Sequence, residues 1–231
     1  MNNIWGEVMR KLLISNDILI SQKQYNLTQS KALYELTYKI KMSRKFEEEE
    51  DNLILEVSLD EMKELVGNPK YSEKQLVERI MKGELLRRDI TILTDDYNAL
   101  TWLPAFRMAT YYKEEKCFRF KFNDDYLELV EQLNGSFAEM LLNEYSSLSS
   151  AYSQRMYELY CKFKNQKFYS MPIEHLRLFF SVPACYNTGN IDQKIINRAI
   201  KEIKESTDGN VDIKVSKIKK GKEVTHYKFI F

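Results

Sequence analysis

Lys214, Lys217, Lys219, Lys220 and Lys222 crowd around one short "KKGK" turn near the end of the chain. A compact cluster of ammonium charges grips phosphate groups without reading any pattern among them. Upstream, "NIDQKIINRAIKEIKES" places Ile191, Ile195, Ile196, Ala199, Ile200 and Ile203 on one stripe of a helix. The opposite side carries Gln193, Lys194, Asn197, Arg198 and Lys201. Amide and guanidinium groups form paired hydrogen bonds with base edges, and lysines add phosphate contacts. Each feature alone has an ordinary reading, as a solvated helix face or as a lysine-protected edge strand. A polar helix face followed by a lysine-rich hairpin is together the footprint expected of double-stranded DNA binding.

Other chemistry finds less support. His175 and His226 are the only histidines and lie far apart in the chain. A metal-assisted nickase needs a histidine cluster beside its tyrosine nucleophile, so no metal site and no catalytic residue is expected. No G-x-x-x-x-G-K-[ST] run is present to cradle a nucleotide, and no cofactor is expected. The carboxylates are scattered over helix faces, where pairing with Lys four residues away accounts for them. Cys117, Cys161 and Cys185 are odd in number and form no C-x-x-C, which suits free thiols in a reducing cytoplasm. No apolar run approaches the ~20 residues of a membrane span, and the N-terminus has no signal-peptide pattern.

The chain must build elements that hold those side chains out. Its 231 residues admit one large domain or two smaller ones, and its 15 Tyr and 12 Phe speak for a packed core. The net charge of +1 is uninformative, but the residues from Ser136 onward hold 15 Lys/Arg against 10 Asp/Glu. "ALYELTYKI" from Ala32 and "RMYELYCKF" from Arg155 repeat Tyr-Glu-Leu and a following Lys at a constant offset. Around each copy the order is helix, short strand, helix, helix, then strands. In the first copy "LILEV" is the strand and Ser58 with Glu61 forms a capping box; "DITIL", "ALTWLPAF" and "KCFRFKF" are strand-like runs. In the second, "FYSM" is the strand, "PIEHLRLFF" a short helix, and Asn190 caps the long one. The expectation is an α+β protein of two tandem winged helix-turn-helix domains, 1–134 and 135–231, divided at "LNGSF". In the first domain the helix matching the polar one is Tyr71–Lys82. It offers Lys74, Gln75 and Arg79, but also Glu73 and Glu78, which suits weaker DNA contact or pairing with a protein.

Several stretches together resemble the replication initiator (Rep) proteins of iteron-bearing, theta-replicating plasmids. They are "ISNDILISQKQYNLTQSKALYELTYKI", "SSAYSQRMYELYCKF" with its Y-S-x-R-x-Y-E-L phrase, "PIEHLRLFFSVPACY", and "INRAIKEIKESTDGNVDIKVSKIKKGKEVTHYKFIF". The resemblance implies two winged-helix domains without enzymatic activity. It implies binding of direct repeats (iterons) at the origin, melting of an adjacent AT-rich segment, and recruitment of the host initiator and replicative helicase. It implies a homodimer through the N-terminal domain, in equilibrium with monomer, which represses its own gene and so controls plasmid copy number. The C-terminal domain would be the main origin binder, with Lys194, Asn197 and Arg198 leading its contacts. Ser153 and Arg155 of "YSQR" would meet phosphate; in the ordinary reading Arg155 pairs with Glu158 or Glu144. The low overall charge and acidic first domain depart from the family pattern. A winged-helix transcriptional repressor without a replication role, and a protein adaptor on the same fold, are the alternatives.

Overall fold

In the computed structural model, residues 11–15, 22–23, 27–44, 54–66, 68–82, 89–93, 100–131 and 137–231 are described. Strands β1 (Lys11–Ser15) and β2 (Gln22–Lys23) precede helix α1 (Leu27–Arg44). Then come β3 (Ile54–Ser58), α2 (Leu59–Leu65) and α3 (Glu73–Met81). Four strands follow, β4 (Asp89–Leu93), β5 (Leu100–Pro104), β6 (Phe106–Tyr112) and β7 (Cys117–Phe122), and α4 (Asp124–Glu131) closes the series. After these, β8 (Phe137–Leu141), α5 (Leu142–Ser147), α6 (Ala151–Phe163), β9 (Phe168–Pro172) and α7 (Ile173–Phe179) lead to a composite helix. That helix consists of α8 (Thr188–Ile191), a π-helical turn (Asp192–Ile196) and α9 (Asn197–Ser206). The hairpin β10 (Lys214–Lys220) and β11 (Glu223–Ile230) ends the order.

The repeated phrase is buried twice. In α1, Tyr34 and Leu36 are fully buried and Glu35 nearly so; in α6, Tyr157, Glu158 and Leu159 take the same places. Each copy then builds the same antiparallel sheet, with the earliest strand of the sheet at an edge and the last in the centre. The orders are β3-β7-β6 and β9-β11-β10. Matching element order and matching strand order make each unit a winged helix.

The first unit is centred on Phe118, Phe120 and Phe122, which alternate inward along β7. Its α1 is tied to α4 through hydroxyls: Tyr126 donates to Thr37 Oγ1 at 2.8 Å, and Thr37 donates to the Leu33 carbonyl at 2.7 Å. Burial pushes the Tyr126 phenol well above its usual range. Only half of the expected capping box at Ser58 forms. Ser58 Oγ accepts from the Glu61 N–H, but the Glu61 carboxylate turns to Lys39 at 2.5 Å. The reciprocal box sits one helix later, at Ser72 and Gln75. "ALTWLPAF" is not one strand either. Pro104, which cannot donate to a ladder, ends β5, and Phe106 begins β6, a strand the sequence reading did not separate.

The second unit gains a strand from far away. β1 pairs antiparallel with β8, in register from Lys11↔Leu141 to Ser15↔Phe137. β1 therefore groups with the residues from Phe137 onward, whereas the sequence division set it within a first domain of 1–134. The reason is long-range backbone pairing, which no local pattern announces.

The composite helix rests on α6. Ile191, Ile195, Ile196, Ala199 and Ile203 are buried. A polar tie joins the same two helices. The Glu202 carboxylate accepts from Ser149 N–H at 2.5 Å, from Ser149 Oγ at 2.6 Å, and from the Ser153 hydroxyl. It sits where the start of α6 leaves backbone N–H groups free, with Ser150 capping the Tyr152 N–H beside it. Burial pushes the Glu202 carboxyl up, but hydrogen bonds from Ser149, Ser153 and the Ser149 and Ser150 backbone outweigh it and hold it below the usual 4.5.

Two outcomes are expected. A folded value below the unfolded one stabilises the native state fully above the usual carboxylate range and is lost as pH falls through the lowered value. Urea unfolding of Glu202→Ala should thus show a loss of about 1–3 kcal/mol at neutral pH that shrinks toward about pH 3; an equal loss at both pH values contradicts the tie. Deleting residues 1–19 should speed amide exchange across β8 by about tenfold or more while the first unit's β7 keeps its protection; unchanged β8 protection contradicts the pairing.

Candidate nucleic-acid interface

The composite helix begins earlier than the sequence suggests. Asn187, not Asn190, is its cap: the Asn187 side chain accepts from the Asn190 N–H at 2.9 Å. Both are asparagines, and three residues separate the alternatives, so composition could not choose between them.

Four of its buried residues, Ile191, Ile195, Ala199 and Ile203, recur every four positions, with Ile196 buried beside Ile195. A straight α-helix turns about 100° per residue, so that spacing drifts by about 120° from Ile191 to Ile203. The π turn cancels most of the drift. The Asn197 N–H bonds to the Asp192 carbonyl, five residues back. One additional residue in a turn takes back about 100°. The apolar stripe stays against the core, and the polar stripe stays out along the whole helix.

Gln193, Lys194, Asn197, Arg198 and Lys201 are all exposed on that outer stripe. Lys194 Nζ lies 4.8 Å from the Tyr186 ring centre, a contact that steadies a long side chain. Lys201 reaches Glu205 at 3.8 Å, a solvent-exposed pair of little strength. Gly221 turns the hairpin with φ +65°, a left-handed conformation that favours glycine. Lys219, Lys220 and Lys222 are exposed around it. The helix face and the turn belong to one unit, which thus carries amide, guanidinium and ammonium donors on the helix and a cluster of ammonium groups on the turn.

Lys217 is placed differently. It pairs with Asp192 at 2.5 Å, and both side chains are partly buried. Ser153 and Arg155 also depart from the expected phosphate contacts. Ser153 is fully buried, with its hydroxyl given to Glu202. The Arg155 side chain is only 12% exposed and pairs with fully buried Glu158 at 2.5 Å. Its Nε donates to the Phe179 carbonyl at 3.2 Å, and its guanidinium lies 3.9 Å from the Phe179 ring centre. Residues expected at a phosphate are thus structural ties, because α6 lies beneath the composite helix.

In the first unit, Lys74 is exposed on α3. The Gln75 side chain accepts from the Ser72 N–H at 3.0 Å and so completes a cap. Arg79 donates to the Tyr71 hydroxyl and lies over its ring. Two of the three candidate contacts there have intramolecular partners. The residue that sequence reasoning missed is Asp192, whose only signal was its place at the start of a helix.

Among the described residues, no group of three His, Cys, Asp or Glu is placed to hold a metal ion. No described helix is long and apolar enough to cross a membrane. The thiols are free, and burial pushes Cys161 up to about 12.

Comparison with known proteins brings these features together. No curated protein sequence matches the chain. The crystal structure of the Pi initiator protein in complex with iteron DNA is similar, with a TM-score of 0.67 at 21% identity over 97% of each chain. The crystal structure of domains 2 and 3 of RctB aligns with a TM-score of 0.41 at 11% identity, over 97% of this chain and 87% of that one. Residues 12–161 match the family model described as Initiator Replication protein, WH1, and residues 172–231 match Initiator Rep protein, WH2. The chain belongs to this initiator family: it is a plasmid replication initiator built of two winged-helix domains.

Proposed function

We propose that the chain binds direct repeats in double-stranded origin DNA, laying the composite helix in a major groove with the β10–β11 turn against the backbone. The observation that carries this reading is the outer stripe of Gln193, Lys194, Asn197, Arg198 and Lys201, exposed on one side beside the lysine turn. Asn197 and Arg198 read base edges; Lys219, Lys220 and Lys222 hold phosphates. The iteron DNA bound by the similar Pi initiator protein supports it. The first unit adds a weaker contact through Lys74.

Bound at the origin, the protein promotes melting of an adjacent AT-rich segment and recruits the host initiator and replicative helicase in the cytoplasm. None of these steps asks it for catalysis. It pairs with a second copy through the first unit, in equilibrium with monomer. Support comes from the outer face of that unit's sheet, where register sets exposed Ile54 and Met108 on either side of Lys121, with exposed Tyr112 further along the same face. Dimers repress the protein's own gene.

The test is fluorescence anisotropy of the full chain on a duplex carrying one direct repeat from beside its gene, against a scrambled duplex, over a range of salt. The repeat should bind tighter by about 4 kcal/mol or more, with a steep salt slope. Arg198→Ala should cost about 1–3 kcal/mol on the repeat and little on the scrambled duplex. Lys220→Ala should weaken both and lower the slope by about 0.9. Equal binding of the two duplexes, or preference for an inverted repeat alone, overturns the reading.

A further inference from the structure

Five lysines crowd the wing, but Lys217 is the one whose ammonium reaches a carboxylate of the composite helix. In the β10–β11 ladder Lys217 stands directly opposite Tyr227. Opposite residues in a ladder project from the same face of the sheet. Tyr227 is fully buried, so its face is the one that packs on the helices. Lys217 therefore projects from the helix-packed side of the hairpin, and its ammonium reaches the start of the composite helix with the side chain one third exposed. Beyond it the register shifts at Ile218/Lys219, and Lys219, Lys220 and Lys222 are left in solvent.

This lysine meets a carboxylate held at both oxygens. Asp192 Oδ2 accepts from Lys217 Nζ at 2.5 Å, and Asp192 Oδ1 accepts from the Tyr227 hydroxyl at 2.8 Å. The same residue's backbone carbonyl accepts from Asn197 N–H across the π turn. Asp192 thus touches a wing strand, the central strand and the backbone of a base-reading residue.

We propose that Asp192 is a positioning residue that clasps Lys217 and Tyr227 to set the wing against the reading helix, and that Lys217 serves this clasp rather than a phosphate. The inference rests on the DNA-binding reading above. Lys217 cannot be shared cheaply. Were it to turn to a phosphate, the Asp192 carboxylate would lose its cation and keep only the Tyr227 hydroxyl, partly buried and facing a polyanion, which costs more than one exposed phosphate contact returns. The lysines beyond the bulge carry no such obligation and supply the phosphate contacts. A clasp on both oxygens also means that either partner's loss undoes the same geometry.

The test compares the full chain with Lys217→Ala, Asp192→Asn, their double variant and Lys220→Ala, by anisotropy on repeat and scrambled duplexes over salt. Lys217→Ala and Asp192→Asn should each weaken repeat binding by about tenfold without lowering the salt slope, and the double variant should lose no more than either single one. Lys220→Ala should lower the slope by about 0.9. A slope for Lys217→Ala that falls as it does for Lys220→Ala overturns the proposal, and so does tighter binding of both duplexes by Asp192→Asn. Amide exchange of the free proteins supplies a readout independent of DNA. Asp192→Asn should speed exchange at the β10–β11 tip and at Asn197 while α6 keeps its protection; unchanged exchange at the tip overturns the clasp even if no duplex binds. If wild-type protein fails to prefer the repeat while the exchange result holds, the DNA reading falls and the clasp stands.

Discussion

The composite helix depends on carboxylates at both ends. Glu202, near its C-terminus, closes over the start of α6 through Ser149 and Ser153. Asp192, near its beginning, holds Lys217 and Tyr227 of the wing. Between them runs the buried isoleucine stripe. Burial of the stripe supplies most of the adhesion, because transfer of apolar area scales with size and is blind to direction. The two carboxylates supply the direction. A helix on an isoleucine ridge can slide or roll at small cost; one pinned at two points cannot. Presenting Asn197 and Arg198 at a fixed angle requires the second kind of restraint.

The two units show what duplication preserves and what it releases. Both bury Tyr-Glu-Leu of a scaffold helix, and both order their sheets with the last strand in the middle. What differs is surface. In the second unit the outer helix stripe is free of carboxylates from Gln193 to Lys201, and the turn is rich in lysine. In the first, Gln75 serves its own helix cap and Arg79 its own tyrosine.

Much of this was legible in the sequence. The isoleucine spacing and the "KKGK" turn mark the long helix and the hairpin, and the repeated phrase marks the two units, because those signals are local and periodic. What escaped was non-local. Ser153 looks like a surface donor in "YSQR", but its partner, Glu202, lies far along the chain; Arg155 takes nearby Glu158, the pairing its ordinary reading names, and only its contact with Phe179 is distant. The partner of β1 is more than a hundred residues away. The π turn escaped for another reason: a four-residue apolar spacing fits a helical stripe well enough that the extra residue leaves no mark. "LPAF" hid a strand boundary because its residues are apolar on both sides of the break.

The most direct test of the account is hydrogen exchange of the full chain, read by mass spectrometry, with and without a duplex carrying the direct repeat. The account predicts new protection over 188–206 and at the 217–223 turn, with a lesser change at α3. Protection confined to 20–136, with the composite helix and the turn unchanged, would contradict it.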